Sequence, residues 1–358
     1  MNNSKFFGLS DNTLLICIIF LSFFGLILLY SATNQNIDIV FRQGTRLIFC
    51  FILMFIISLI DINKLKNMSP YIYILCLIML MITLFWGHDV KGAKRWIVIM
   101  GFSFQVSEII KFFVPMTLAW YLSLSDDKDI DIKKLIICFA IILAPIFFII
   151  KQPDLGTSLI ILLCGLITIF LGGIKKKQMI ILFGLFSIAI PIMWKFILLP
   201  YQKKRIMTLF DPTLDPLGSG YHIMQSKIAV GSGGFLGKGF LNGTQSQLEF
   251  LPERGTDFIF AVFAEEFGFV GVLILFLVYL IIIARCLKIT FKAKSYFAKI
   301  FSGSISSILI LLVVTNVSMA VGLLPVVGVT LPLISLGGSS LLSIFVAFGI
   351  MFSINRRA

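Results

Sequence analysis

Charge is what this chain has least of. Only 13% of its 358 residues are Asp, Glu, Lys or Arg, while 59% are hydrophobic; a water-soluble domain carries about 25% charged residues. That shortfall excludes a soluble fold, because too little polar surface exists to enclose a core. Paired cysteines are missing as well. Of the six, Cys17, Cys50, Cys76, Cys138 and Cys164 stand singly within apolar runs, and Cys286 ends another. With no C-x-x-C pair, metal and redox chemistry lose their usual sequence support, and small packing residues is the reading that remains. A secretory leader is not the pattern either. Lys5 is the only early cation, and the apolar run Leu14 to Leu29 outlasts the roughly 7–15 residues of a signal-peptide core. It reads as a first spanning helix. No inverted repeat, the signature of many transporters, is evident.

What is present is a series of apolar runs of spanning or near-spanning length, each needing about 17–25 residues. Ten are read, at 12–31, 44–60, 70–87, 107–123, 134–150, 156–173, 178–197, 258–284, 300–322 and 340–354. The expected fold is therefore all-α, one polytopic membrane domain spanning 1–358, with a large polar loop at about 198–257. The net charge of +13 does not point to nucleic acid, which would want Lys and Arg gathered on a solvated face. Here the cations fall in connectors: Lys175–Lys177, five from Arg285 to Lys299, and the Arg356–Arg357 tail. The positive-inside rule puts these in the cytoplasm, with both termini, and leaves the large loop outside.

Two outer connectors hold most of the chemistry. One carries Lys91, Lys94 and Arg95. The other runs from about Pro200 to Thr256 with Lys203, Lys204, Arg205, Lys227, Lys238 and Arg254. Its apolar content (Tyr221, Ile223, Phe235, Leu248, Phe250) argues for a folded loop, and loops of that length are usually functional or disordered. Its glycine cluster from Gly231 to Gly239 ends near Lys238, but the P-loop spacing is absent.

Asp257 sits where this loop enters a spanning helix. A carboxylate at that depth suits general-base work; it equally suits a helix start answering the macrodipole. Glu108 and Lys111, three apart, share a helix face, and each would cost about 2.5–3.5 kcal/mol alone at mid-bilayer. They pair with each other, line a polar cavity, or do both. Glu265 and Glu266 point about 100° apart, so at most one easily faces a given cavity. Asp154 has Lys151 as its only local cation, and Arg46 is read as able to reach it. The prolines and glycines from Asn316 to Ser340 break the helical pattern, which is tolerated at membrane depth only against protein or a wet cavity.

Several blocks in order resemble the SEDS family (shape, elongation, division and sporulation), and within it the RodA elongation branch. They are Lys91-Gly-Ala-Lys-Arg-Trp96, Phe104-Gln-Val-Ser-Glu108 with Lys111, Gln152-Pro-Asp-Leu-Gly-Thr157 and Asp211-Pro-Thr-Leu-Asp-Pro216. Gly220-Tyr-His-Ile-Met-Gln-Ser226, Gly243-Thr-Gln-Ser-Gln-Leu-Glu-Phe-Leu-Pro-Glu-Arg254 and Thr256-Asp-Phe-Ile-Phe260 follow. The resemblance covers nearly the whole chain. Val106 and Thr330 stand where the family usually has Pro, and Gly255 where it usually has His.

The resemblance implies a peptidoglycan glycosyltransferase that polymerises lipid II, an undecaprenyl-diphosphate disaccharide-peptide, on the outer side of the cytoplasmic membrane. Its implied partners are a class B penicillin-binding protein and other membrane proteins of the elongation complex. It also implies Asp257 as the catalytic aspartate, Trp96 as a tryptophan needed for activity, Glu108 with Lys111 as a charged cavity pair, and Arg46 with Asp154 as an arginine–aspartate pair. Glu253 and Arg254 count among the supporting residues.

The residues fit such chemistry. Attack of a sugar hydroxyl on an anomeric carbon bearing diphosphate needs one base and a way to hold the leaving charge. A glycosidase needs two carboxylates because its leaving alcohol must be protonated; diphosphate does not. Lys91, Lys94, Arg95, Lys111 or Arg205 could hold the charge, or a divalent cation, Mg or Mn, could share that role. Two other classes stay open. A flippase for lipid-linked precursors would need access from both faces and no base, and a scaffold of the elongation complex would tolerate loss of Asp257.

Overall fold

The computed structural model describes residues 11–90, 93–99, 102–125, 129–216 and 218–357; Lys5 and Lys91 lie outside them. Ten long helices carry the fold: α1 (Asn12–Ala32), α2 (Ile37–Leu59), α3 (Ile62–Trp86), α4 (Val106–Leu122), α5 (Ile132–Lys151), α6 (Leu155–Leu171), α7 (Lys176–Ile192), α11 (Ile259–Lys292), α12 (Tyr296–Ala320) and α13 (Gly338–Arg357). Eight of these segments, α7 with its continuation to Phe196 among them, are long and apolar enough to cross a membrane. The other two, α4 and α6, have 17 residues each, about 25 Å at 1.5 Å per residue, and they pack within the bundle.

Several helices start where sequence chemistry dictates. Asp11, Asn36, Asp61, Asp131, Asp154 and Ser295 each accept a hydrogen bond from a main-chain N–H of the first turn, satisfying donors that the helix cannot. Two starts lie furthest from the expected spans. α2 begins at Ile37 rather than 44, and α3 at Ile62 rather than 70, running through Pro70. In both cases the cap lies upstream of the apolar run, so the run alone marks the start too late.

Arg285 forks onto Asp11 at 2.7–3.1 Å, Arg357 pairs with Asp61, and Tyr296 donates to the Gly172 carbonyl at 2.9 Å. These contacts gather one set of helix ends on one face, that of the basic connectors. The opposite face gathers the rest. There three short strands, β1 (His88–Val90), β2 (Ala93–Ile99) and β3 (Phe102–Phe104), form an antiparallel sheet in the order 1-2-3. This sheet lies outside the all-helical pattern read from the sequence. β1 and β3 have three residues each, too few for a period-two signature, and β2 reads as two cations followed by an apolar run instead of an alternation.

The large loop is folded, as its apolar content foretold. It holds α8 (Pro200–Phe210), a 3₁₀ turn at Pro212–Leu214, α9 (Ser219–Ser232) and the single turn α10 (Thr244–Gln247). Lys204 donates to Asp215 at 2.9 Å, and Asp215 takes the N–H of Ser219 at 2.9 Å, fastening α8 to α9. Lys204 foremost, then the Ser219 N–H, holds the Asp215 carboxyl below the usual carboxylate range.

The loop also breaks α11. Gly268 adopts φ 63°, ψ −164° inside that helix, and a Cβ there would stand 2.2 Å from the Gly237 nitrogen. The freed main chain pairs with the loop instead: Lys238 and Gly239 donate to the Glu265 and Glu266 carbonyls, and Phe269 and Val270 to those of Gly234 and Phe235, at 2.9–3.1 Å. The expected span 258–284 is therefore two helical pieces joined at a docked loop. α12 and α13 are the most enclosed spans, whereas α7 buries none of its residues.

Candidate active site

Asp257 stands half-buried directly before Phe258, the residue that precedes α11. Its main chain is held with unusual completeness. Leu336 donates to the Gly255 carbonyl at 2.8 Å, Ser335 Oγ to that of Thr256 at 2.7 Å, and Asn316 Nδ2 to that of Asp257 at 2.9 Å. Three consecutive carbonyls are thus tied to α12 and to the 321–337 strap that follows it. Glu253 supports the turn from behind, its carbonyl accepting from the Thr256 and Phe258 N–H groups and its carboxylate from Thr256 Oγ1.

The strap is where the helix-breaking residues fall. Gly328 adopts φ +74°, and a Cβ on it would lie 3.7 Å from Asp257 Oδ2, so its bare Cα faces the carboxylate. Its neighbours serve other elements. The Val326 carbonyl accepts from Arg205 of α8 at 3.3 Å, and the Val329 carbonyl from Asn316 at 2.6 Å. Gly156, two residues past Asp154, backs onto Val327, whose oxygen would be 2.3 Å from a Cβ at 156. Four residues, 326–329, therefore touch α8, the α6 start, Asp257 and α12.

A second cluster centres on buried Asp154. Arg95 of β2 donates to the Gln152 and Pro153 carbonyls at 3.0 and 2.5 Å and lies 4.0 Å from the Asp154 carboxylate. Gln105 Nε2 reaches Asp154 Oδ2 at 3.3 Å, and the Thr157 N–H and hydroxyl complete its shell at 3.2 and 3.0 Å. Arg46 is not among its partners. That guanidinium lies against Gly338 at the start of α13, 3.8–3.9 Å from where a Cβ would be. A relay joins the two all the same: Ser339, next to Gly338, accepts from the Gln105 N–H at 2.8 Å.

Glu108 and Lys111 form the expected pair, at 2.5 Å, with Lys111 only 2% exposed. Trp96 is half-buried on β2 opposite His88. Lys94 is exposed, with Nζ 3.5 Å from the Phe85 carbonyl. Arg254 turns back into its own loop, pairing with Glu249 at 2.9 Å and with the Ser246 carbonyl. Among the described residues, no group of three or more His, Cys, Asp or Glu side chains is placed to hold a metal ion.

Asn316, Gln105, Ser335 and Gly328 were not singled out as site residues in the sequence. Only Gln105 and the Pro/Gly-rich strap carried any signal, the first as part of a motif block and the second as a break in helical periodicity.

Comparison with known proteins gives this arrangement a family. The peptidoglycan glycosyltransferase MrdB of Escherichia coli K12 is 42% identical over 345 residues, covering 96% of this chain and 93% of that protein. The probable peptidoglycan glycosyltransferase FtsW of Wigglesworthia glossinidia brevipalpis is 38% identical, covering 98% and 95%. Among solved structures, a chain of a peptidoglycan synthase complex that coordinates polymerization and crosslinking superposes with a TM-score of 0.84 at 27% identity, covering 97% and 98%. The rod shape determining protein RodA of Thermus thermophilus superposes with a TM-score of 0.73 at 26% identity, covering 97% and 96%. The profile of the FtsW/RodA/SpoVE cell cycle proteins matches residues 11–358, and this chain belongs to that family.

Proposed function

We infer that this chain is a peptidoglycan glycosyltransferase that polymerises lipid II during cell elongation, with Asp257 as its general base. The observation that carries the assignment is the fixed, half-buried Asp257 carboxylate facing the bare Cα of Gly328. A base must be held within about 3 Å of the proton it removes, and here three tethered carbonyls set its position.

The acceptor's 4-hydroxyl attacks the anomeric carbon of the donor. The new O–C bond forms as the bond to diphosphate breaks, the hydroxyl proton passes to Asp257, and undecaprenyl diphosphate leaves with the electron pair. Diphosphate needs no proton to leave, only charge to face. Arg205, whose guanidinium donates to the same strap whose Gly328 faces Asp257, is the nearest candidate by connection; Arg95, Lys94 and Lys111 are others. Trp96, Glu108, Asp154, Arg46, Glu253 and Arg254 support substrate or scaffold. Among the described residues no cluster of His, Cys, Asp or Glu forms a metal site by itself. A divalent ion held largely by the substrate's own phosphates is the form such chemistry would take.

The partner is a class B penicillin-binding protein that crosslinks the strands, within a larger elongation complex. This reading is supported by the relationship to a chain of a synthase complex. Both termini lie in the cytoplasm of a cytoplasmic (inner) membrane protein, which puts Asp257 outside, where lipid II is consumed.

The test is polymerisation of purified lipid II by the reconstituted chain with its penicillin-binding partner, wild type beside Asp257→Asn, with and without chelator. Strands from wild type alone establish the assignment, and the chelator lanes decide the divalent ion. Equal strands from both would sink the role of Asp257. No strands from either, with the partner bound, would favour a flippase or scaffold.

A further inference from the structure

Asn316 lies on α12, fully buried, and its side-chain nitrogen forks between two main-chain oxygens, the Asp257 carbonyl at 2.9 Å and the Val329 carbonyl at 2.6 Å. The orientation is fixed by chemistry: both neighbours are acceptors, so the donor end of the amide must face them. Asn316 therefore bridges the residue carrying the reactive carboxylate and the strap whose Gly328 faces that carboxylate. The same strap receives Arg205 at Val326. One amide thus sets the depth of Asp257 and, three residues along the strap, the anchor of Arg205.

Other anchors of α12 are simpler. Ser226, for example, gives a single hydrogen bond to the Ala320 carbonyl at 2.6 Å. Asn316 is different in a second respect. Its Oδ1 is buried and accepts nothing from the described residues, although buried polar atoms are normally satisfied. A residue chosen only to knit helices together would use both ends, or be apolar.

We propose that Asn316 is a positioning residue for glycan polymerisation, holding the Asp257 main chain and the 326–329 strap in one register so that carboxylate and guanidinium address the same donor–acceptor pair. The proposal rests on the assignment of Asp257 as base. It needs no contact between Asn316 and substrate. Its consequence falls on the saturated rate, because misplacing a reacting group by about 1 Å can cost on the order of 100-fold in rate, and the Arg205 charge counts most as the diphosphate bond breaks.

The experiment uses the full chain reconstituted with its penicillin-binding partner and lipid II titrated through saturation. Asn316→Asp keeps the shape and removes the amide donors, Asn316→Ser keeps one hydroxyl donor, and Ser226→Ala is the comparison for loss of an α12 anchor. Asp257→Asn is run alongside. The expected result is a saturated rate lowered about 10- to 100-fold in Asn316→Asp, with KM within about twofold of wild type, partial recovery in Asn316→Ser, and no such split in Ser226→Ala at matched melting temperature. Asn316 variants polymerising within twofold of wild type while Asp257→Asn is dead would overturn the proposal and leave the base assignment standing. A loss that merely tracks melting temperature, as in Ser226→Ala, would overturn it too. An active Asp257→Asn would remove both.

Discussion

Lys238 Nζ lies 2.7 Å from Glu265 Oε1, joining the large loop to α11 three residues before the helix breaks at Gly268. Glu265 is fully buried, while Lys238 is 27% exposed at its side chain. The carboxylate also takes the Gln245 N–H at 3.0 Å and the Thr244 hydroxyl at 3.1 Å. Removing the cation therefore leaves a buried but partly satisfied anion. Lys238→Met is expected to destabilise by about 1–3 kcal/mol, the cost of an under-satisfied buried polar group. Thermal unfolding in detergent, beside Glu265→Gln and the double variant, measures this. The double variant should recover much of the loss, since an isolated buried charge is what hurts.

Gly328→Ala tests the wall opposite Asp257. The backbone at φ +74° penalises any side chain, by about 1–2 kcal/mol for a left-handed residue. The new methyl, 3.7 Å from Asp257 Oδ2, is in ordinary contact and not a clash. The outcome expected is a folded protein, slightly lower in melting temperature, whose polymerisation falls by roughly tenfold, equivalent to about 1.4 kcal/mol of barrier. Unchanged polymerisation would mean that the substrate does not approach through this gap.

Arg95 should not tolerate lysine. Its guanidinium spans the Gln152 and Pro153 carbonyls while facing Asp154, a fork that a point-like ammonium cannot reproduce. Arg95→Lys and Arg95→Ala are expected to lose similar activity in the lipid II assay. Near-complete rescue by lysine would show that charge alone matters there.

Acid should loosen the large loop before the bundle. Because the Asp215 carboxyl is held below its ordinary range by Lys204 and Ser219, its folded state binds protons more weakly than the unfolded state. The stability it contributes is present above the ordinary carboxylate range and is lost as pH falls through the depressed value. Limited proteolysis between α8 and α9 should therefore rise below about pH 4, near the ordinary aspartate pKa. Asp215→Asn should show raised cleavage already at neutral pH and lose that pH dependence.

The bundle was legible because lipid imposes length and hydropathy on every span, and the Glu108–Lys111 pair because three-residue spacing on a helix is a contact. Asp257 was legible as the carboxylate at the loop–helix boundary. The partner of Asp154 was not. Sequence offered Arg46, yet the cation that arrives is Arg95, because the sheet at 88–104 carries β2 across the start of α6. Nothing in the periodicity of those short strands announces that placement. Glu265 and Glu266 show the same boundary. Their divergence by about 100° was readable, and they do face different partners, Lys238 and Ser31. That both would be buried depended on a loop threading beside Gly268, a tertiary event that leaves only a glycine in the sequence.

The bond from Ser31 to Glu266 spans 235 residues, which gives it a meaning in time as well as space. At about 5–20 residues per second of synthesis, roughly 12–47 s separate the emergence of its two ends from the ribosome. During that interval α1 has α2 beside it but not α11, the other long helix it packs against. The first piece of α11 pairs with the loop around Gly268, so that end of the helix and the loop settle together. Asp257 waits longer still, because Asn316, Ser335 and Leu336, which hold the carbonyls of residues 255–257, all follow it in the chain, and a nascent chain stalled before residue 316 lacks every one of those tethers.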